Sequence, residues 1–156
     1  MCFISSVPLV KLGHEKATHC CFVSELGILT MFVRTLAELI GTERDVDWGN
    51  GSSRRFVLER DGLGFALMET TVRAGSESHQ QYRNHLEACY CIEGRGEIED
   101  SDGNVWALEP GTLYALDKHD KHVLRAYTDM RLVSVFNPPI KGQESHNYAN
   151  GAHSSY

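Results

Sequence analysis

Leu86-Glu-Ala-Cys-Tyr-Cys-Ile92, closed by Glu93-Gly94, decides the fold class. It is a short apolar run rich in aromatic and branched side chains, bounded by a turn glycine, which is the grammar of a buried strand. The same grammar continues on both sides. Downstream, Gly96-Glu-Ile-Glu99 turns through Asp102-Gly103 into Val105-Trp-Ala-Leu108. Pro110-Gly111 leads into Thr112-Leu-Tyr-Ala-Leu116, and the polar loop Asp117-Lys-His-Asp-Lys121 leads into His122-Val-Leu-Arg-Ala126. Met130-Arg-Leu-Val-Ser-Val-Phe136 follows, and Pro138-Pro139 ends the pairing because proline donates no ladder hydrogen bond. Upstream, Arg55-Phe-Val-Leu58 and Phe65-Ala-Leu-Met-Glu-Thr-Thr-Val72 read as strands, separated by Asp61-Gly62 and followed by Ala74-Gly75. About eight short strands at roughly ten-residue spacing predict an all-β sandwich or barrel.

One helix is expected. Thr35-Leu-Ala-Glu38 fits a capping box, and Gly41 stands where a helix would stop, so the helix covers residues 36–40. The stretch Asp47-Trp-Gly-Asn-Gly-Ser-Ser53 reads as a loop.

Composition narrows the function classes. The chain has 156 residues, 42% hydrophobic and 23% charged, and a formal net charge of −6. That charge argues against a nucleic-acid binder, which needs a basic stripe. No 18-residue apolar run exists, so no membrane-spanning helix is expected. Residues 1–30 sum to zero charge, hold Cys2, Cys20 and Cys21, and show no sustained periodicity. They lack the basic and apolar regions of a signal peptide. The expected organisation is an atypical extension over 1–30 or upstream sequence from a misplaced start, one domain over 31–146, and a flexible tail over 147–156. Cys89 and Cys91 read as small core residues of a reducing compartment.

Strand alternation assigns faces. Glu87, Cys89 and Cys91 share one face; Tyr114 and Leu116 share another, opposite to Leu113 and Ala115; His122, Leu124 and Ala126 share a third. Inward orientation of these faces puts a carboxylate and an imidazole at a β cavity, where a carboxylate is costly unless paired or metal-bound. Glu87 stands seven positions before Gly94, with six residues between them, and His122 comes eleven positions after Gly111. These two spacings resemble the two cupin motifs, which implies a small double-stranded β-barrel with an internal metal site. The pattern departs from them at Gln80, Gln81, Tyr82 and Arg83, where the first motif supplies a His-x-His pair, so a three-histidine site cannot be built. Glu87, Tyr114, His122 and His85 remain. A carboxylate, a phenol and an imidazole are hard donors that suit iron better than copper, with zinc or another divalent metal possible. By spacing alone Tyr114 reads equally well as a core residue. His119 and His79 read as surface.

A closer resemblance covers residues 31–146. Met31-Phe-Val-Arg-Thr35, Gly41-Thr-Glu-Arg44, Ser53-Arg-Arg55, His85-Leu-Glu-Ala-Cys-Tyr-Cys-Ile-Glu-Gly94, Gly96-Glu-Ile-Glu-Asp100, Pro110-Gly-Thr-Leu-Tyr-Ala-Leu-Asp117, Val135-Phe-Asn-Pro-Pro139 and Gly142-x-Glu144-x-His146 occur in the order found in ectoine synthases. The resemblance implies an iron-dependent lyase, cytoplasmic, bacterial and homodimeric, that closes N-γ-acetyl-L-2,4-diaminobutyrate into ectoine with loss of water. It implies Glu87, Tyr114 and His122 as ligands of Fe(2+). It implies Arg55, Thr70, Tyr82, His85, Phe136, Glu144 and His146 as substrate contacts, with His85 or Tyr114 as the base. The family commonly carries a tryptophan where this chain has Gly51, and Trp48 stands three residues earlier as a substitute. Two other readings of a metal-bearing cupin are an iron-dependent dioxygenase and a non-catalytic binder of a small ligand.

Overall fold

The computed structural model describes residues 31–146, 148 and 154–155. The expectations for residues 1–30 and for most of the tail lie outside the described residues.

The chain enters through the helix α1 (Leu36–Leu39). The Glu38 carboxylate accepts the Thr35 N–H at 2.7 Å, as the capping box requires. Gly41 then ends the turn at φ +74°. Strands β1 (Asp45–Asp47) and β2 (Ser52–Val57) form a hairpin. The stretch expected to be only a loop is therefore the tip and inner ends of this hairpin. Its glycines and serines conceal the pairing, which the ladder supplies rather than apolar alternation. A single 3-10 turn, Glu59–Asp61, leads to β3 (Ala66–Val72). There Asp61 accepts from Arg34 at 2.8 Å and from Arg44 at 3.1 Å, which fixes the entry segment to β2.

The strands β4 (Glu77–Gln81), β5 (Leu86–Glu93), β6 (Gly96–Asp100), β7 (Val105–Leu108), β8 (Leu113–Leu116), β9 (His122–Ala126) and β10 (Met130–Asn137) follow. A short β11 (Ser154–Ser155) pairs in parallel with β4. The sheets are ordered β1-β2-β3-β10-β5-β8 and β11-β4-β9-β6-β7. All other pairs are antiparallel. The all-β expectation holds, and the barrel takes the form of two sheets: no ladder joins them among the described residues.

Strand β4 was absent from the sequence reading for a physical reason. Its inward positions are Ser78 and Gln80, both polar and both buried, so it shows no hydrophobic alternation. Asn50 donates to Ser78 Oγ at 2.8 Å. The apolar core forms two clusters. One contains Val72, Cys91, Ile98, Leu108, Leu124, Met130 and Leu132; the other contains Leu58, Ala66, Met68, Tyr82, Phe136 and Ile140. Each fully buried Leu or Met side chain in them contributes about 2 kcal/mol. No helix among the described residues is long and apolar enough to cross a membrane.

Candidate functional site

Between the two clusters lies a polar cavity of about 30 Å³, lined by Trp48, Arg55, Thr70, Tyr82, Glu87, Cys89, Tyr114, Ser134, Phe136 and His146 among others. This volume is room for an ion or one or two water-sized groups. A larger groove of about 580 Å³ runs along the edges of β7 and β8 and reaches Tyr114 and His122 from outside. The convergent chemistry belongs to the smaller cavity.

Glu87 is 6% exposed on the inner face of β5. Its Oε2 has no hydrogen-bond partner. Burial pushes its carboxyl up to about 8, against a small opposing effect of the Cys89 thiol. Tyr114 lies opposite Cys89 in the β5–β8 ladder and faces inward. Burial first, then the neighbouring Cys89 and Glu87, hold its phenol well above the ordinary range. His122 opens β9 on the other sheet and is 2% exposed. Its Nδ1–H donates to the Asp120 carbonyl at 3.2 Å, which puts the ring's lone pair on Nε2. That is the tautomer in which metal-binding histidines are commonly held. Its ring centroid is 6.3 Å from that of Tyr114 and 5.9 Å from that of Tyr82.

These residues fit a hard divalent cation. A buried carboxyl with an orphaned oxygen ionises only beside positive charge, and a phenol is acidified in the same way. The Tyr114 phenol, in the same cavity as Glu87 and in ring contact with His122, could add a third oxygen or nitrogen donor to such a site.

The far side of the cavity carries charge. Arg55 is 1% exposed. Its Nη2–H donates to the Glu144 carbonyl, and its Nη1 stands 3.6 Å from Glu144 Oε2. The Glu144 carboxylate also accepts the backbone N–H groups of Lys141 and Gly142, each at 2.7 Å. Burial raises its pKa, and these backbone bonds with the Arg55 charge outweigh that and hold it below the usual range.

His146 Nε2 accepts from the Gln80 amide at 3.2 Å, and Tyr82 Oη stands 3.1 Å from the same nitrogen. Burial first, then the neighbouring His122 and Arg55, push it down to about 4, so it is a neutral acceptor. Tyr82 meets Phe136 edge to face at 4.9 Å. Trp48 meets His146 at 5.8 Å and donates to the Thr71 carbonyl at 3.1 Å. A Cβ on Gly51 would lie 1.8 Å from that same carbonyl oxygen and 3.1 Å from the Trp48 indole nitrogen. No side chain fits at Gly51, and Trp48 walls the cavity there.

Of the residues singled out from sequence, Arg55, Thr70, Tyr82, Glu87, Tyr114, Phe136 and His146 line the cavity. His122 borders it through its ring contacts with Tyr82 and Tyr114, and Glu144 reaches it through Arg55. His85 does not line it. His85 sits at the rim, 6.2 Å from the Phe136 ring, and its Nδ1–H donates to the Pro138 carbonyl at 2.7 Å. Sequence reasoning missed Gln80, Ser134 and Cys89 as lining residues. Gln80 was legible as an inward position only once β4 was known, and Cys89 was read as plain core. His119, expected on the surface, is half-buried, and its Nδ1–H bridges to the Tyr82 carbonyl at 2.8 Å and the His85 carbonyl at 3.1 Å.

Comparison with known proteins points to one family. The profile of the family described as ectoine synthase matches residues 31–156. The L-ectoine synthase of Halalkalibacterium halodurans is 54% identical over 117 residues, covering 74% of this chain and 91% of that protein. The L-ectoine synthase of Desulfatibacillum aliphaticivorans is 52% identical, covering 74% and 92%. The crystal structure of ectoine synthase from P. lautus superposes with a TM-score of 0.70 at 50% identity, covering 72% of this chain and 81% of that one. An RmlC-like cupin protein from Desulfovibrio desulfuricans shares the fold alone, with a TM-score of 0.52 at 20% identity, covering 71% and 100%. The profile match over residues 31–156, with about half of the residues identical to L-ectoine synthases across the 74% of the chain that aligns, places this chain in the ectoine synthase family.

Proposed function

We propose that the residues lining this cavity close N-γ-acetyl-L-2,4-diaminobutyrate into ectoine with loss of water, with Fe(2+) held by Glu87, Tyr114 and His122; the substrate exceeds the present volume, so its entry displaces lining side chains. The observation that carries the reading is the buried, unpartnered Glu87 oxygen in a cavity it shares with Tyr114 and with Arg55, which Glu144 pairs from behind. The cation, when bound, supplies Lewis-acid polarisation of the amide oxygen, which an amide needs because it is a poor electrophile. The chain's own residues supply the rest. Arg55 offers its guanidinium to the substrate carboxylate in competition with Glu144, and Glu144 then faces the amidinium of the product. Phe136 presents a π face to that cation. Thr70, Tyr82 and His146 hold the substrate folded, so that amine and amide meet at high effective concentration.

The attacking amine must lose a proton. His146 is a poor base, because the single lone pair of its Nε2 already takes the Gln80 amide hydrogen bond. His85 carries its lone pair on Nε2, since Nδ1–H is spent on Pro138. It stands at the rim where the amine would enter, and Tyr114 is the alternative inside. Walls formed by Trp48, Phe136 and the two core clusters exclude the water that would reverse the reaction.

A bacterial, cytoplasmic homodimer belongs to the same proposal. The exposed Val105, Trp106 and Leu113 along the open sheet edges supply apolar surface for a second copy. Sedimentation of the purified protein tests this, with a dimer expected.

The activity is tested by loading the protein anaerobically with ferrous iron and supplying N-γ-acetyl-L-2,4-diaminobutyrate. Ectoine formation without oxygen consumption is expected. A folded, iron-loaded protein that forms none contradicts the proposal, and oxygen uptake would favour a dioxygenase.

A further inference from the structure

A row of polar side chains crosses the cavity between its metal side and its substrate side. At its centre is Ser134 on β10, buried and lining the cavity. Ser134 Oγ stands 3.0 Å from Thr70 Oγ1 on β3 and 3.1 Å from Cys89 Sγ on β5. The ladders set Ser134 opposite Cys89, and Cys89 opposite Tyr114. Ser134, Cys89 and Tyr114 therefore form one lateral row over the neighbouring strands β10-β5-β8, and Thr70, two positions along β3 from Met68, the register partner of Ser134, joins it diagonally through its hydroxyl. The Cys89 thiol also faces Glu87, two residues away on the same face of β5.

A hydroxyl and a thiol placed here are not neutral choices. Both are fully buried, and a buried hydroxyl costs free energy unless it is bonded. Ser134 has one proton and two neighbours, so it donates to one and accepts from the other. Each member of the row thus restricts the rotamer of the next. The two ends of the row are groups with work to do, and the two middle members have no role in the ring closure described above.

We infer that Cys89 and Ser134 are positioning residues. They form a bridge that aims Glu87 and Tyr114 at a common point and couples that aim to the Thr70 hydroxyl. The inference rests on the proposed metal site and ring closure. Groups that orient metal ligands commonly change metal affinity by 10–100-fold when removed. Residues acting through one bridge are non-additive.

The test compares the wild type with Cys89→Ala, Cys89→Ser, Ser134→Ala and the double variant Cys89→Ala/Ser134→Ala. Each metal-free protein is titrated with ferrous iron against a competing chelator. The bound iron is then oxidised, and the phenolate-to-ferric absorption band is recorded. Melting temperatures of the metal-free forms report folding separately. Cys89→Ala and Ser134→Ala are each expected to weaken iron binding about 10-fold and to shift the band. Cys89→Ser is expected to restore most of the affinity. The double variant should be no weaker than the weaker single variant. Steady-state turnover should show Ser134→Ala raising KM as well, through Thr70. Ser134→Ala changes volume least and carries the test if Cys89→Ala does not fold. Folded variants with wild-type iron affinity and an unmoved band overturn the inference, and so do strictly multiplicative losses in the double variant. Wild-type protein whose iron binding is unchanged by Glu87→Ala would instead overturn the metal site itself.

Discussion

Raising the pH of the metal-free protein from about 6.5 to about 8 should destabilise it through Glu87. The folded carboxyl titrates at about 8, whereas an unfolded glutamate titrates near 4.5. Between those values the folded state holds a proton that the unfolded state lacks, so the unfolding free energy falls as pH rises. The contribution is complete below about pH 4 and is lost as pH passes about 8. One pKa unit corresponds to about 1.4 kcal/mol, so roughly 1.5 pH units remove about 2 kcal/mol. For a domain of this size that is a fall in Tm of about 6 °C. His146 acts on the other side of the window. Its folded value of about 4 lies below the ordinary 6.5, so its effect ends near pH 6.5. Cys89 and Tyr114 are pushed upward and titrate above the window. The assay is chemical denaturation of metal-free wild type and Glu87→Gln at both pH values. Glu87→Gln keeps the shape and removes the proton, so the wild-type fall should be absent from it. An equal pH slope in both proteins would falsify the reasoning.

Three further outcomes follow from the packing. Gly51→Ala places a methyl group 1.8 Å from the Thr71 carbonyl oxygen, so the β2–β3 ladder must shift, at a cost of about 3 kcal/mol in thermal unfolding; an unchanged Tm contradicts the close approach. Glu144→Gln removes the countercharge from the buried Arg55, and a loss of about 2 kcal/mol with a raised KM is expected, measured by denaturation and initial rates. Trp48→Phe loses the indole bond to the Thr71 carbonyl and part of the wall beside His146, which should lower stability by about 1 kcal/mol and weaken substrate binding in calorimetry.

Much of the fold was legible because most strands carry apolar alternation between turn glycines. Parity along three strands was enough to turn Glu87, Tyr114 and His122 toward one interior, and the structure has all three facing inward. The hairpin of β1 and β2 and the strand β4 were not legible, because their pairing is carried by backbone ladders while their inner side chains are Ser53, Ser78 and Gln80. The Arg55–Glu144 pair could not be read either, since its members are separated by 89 positions and meet only when the C-terminal segment folds back. Cys89 shows a different limit. A strand cysteine looks the same in sequence whether it faces packed leucines or a hydroxyl, and only the register against Ser134 and Tyr114 distinguishes them. His119 was misplaced because a charged loop gives no sign of the two carbonyls its ring bridges.

The central claim is that Glu87, Tyr114 and His122 converge on one divalent cation. Anomalous diffraction at the iron edge, from crystals grown anaerobically with ferrous iron, tests it directly. A single strong peak is expected within bonding distance of a Glu87 carboxylate oxygen, Tyr114 Oη and His122 Nε2. A peak held by other side chains, or none at this cavity in iron-loaded and active crystals, would contradict it.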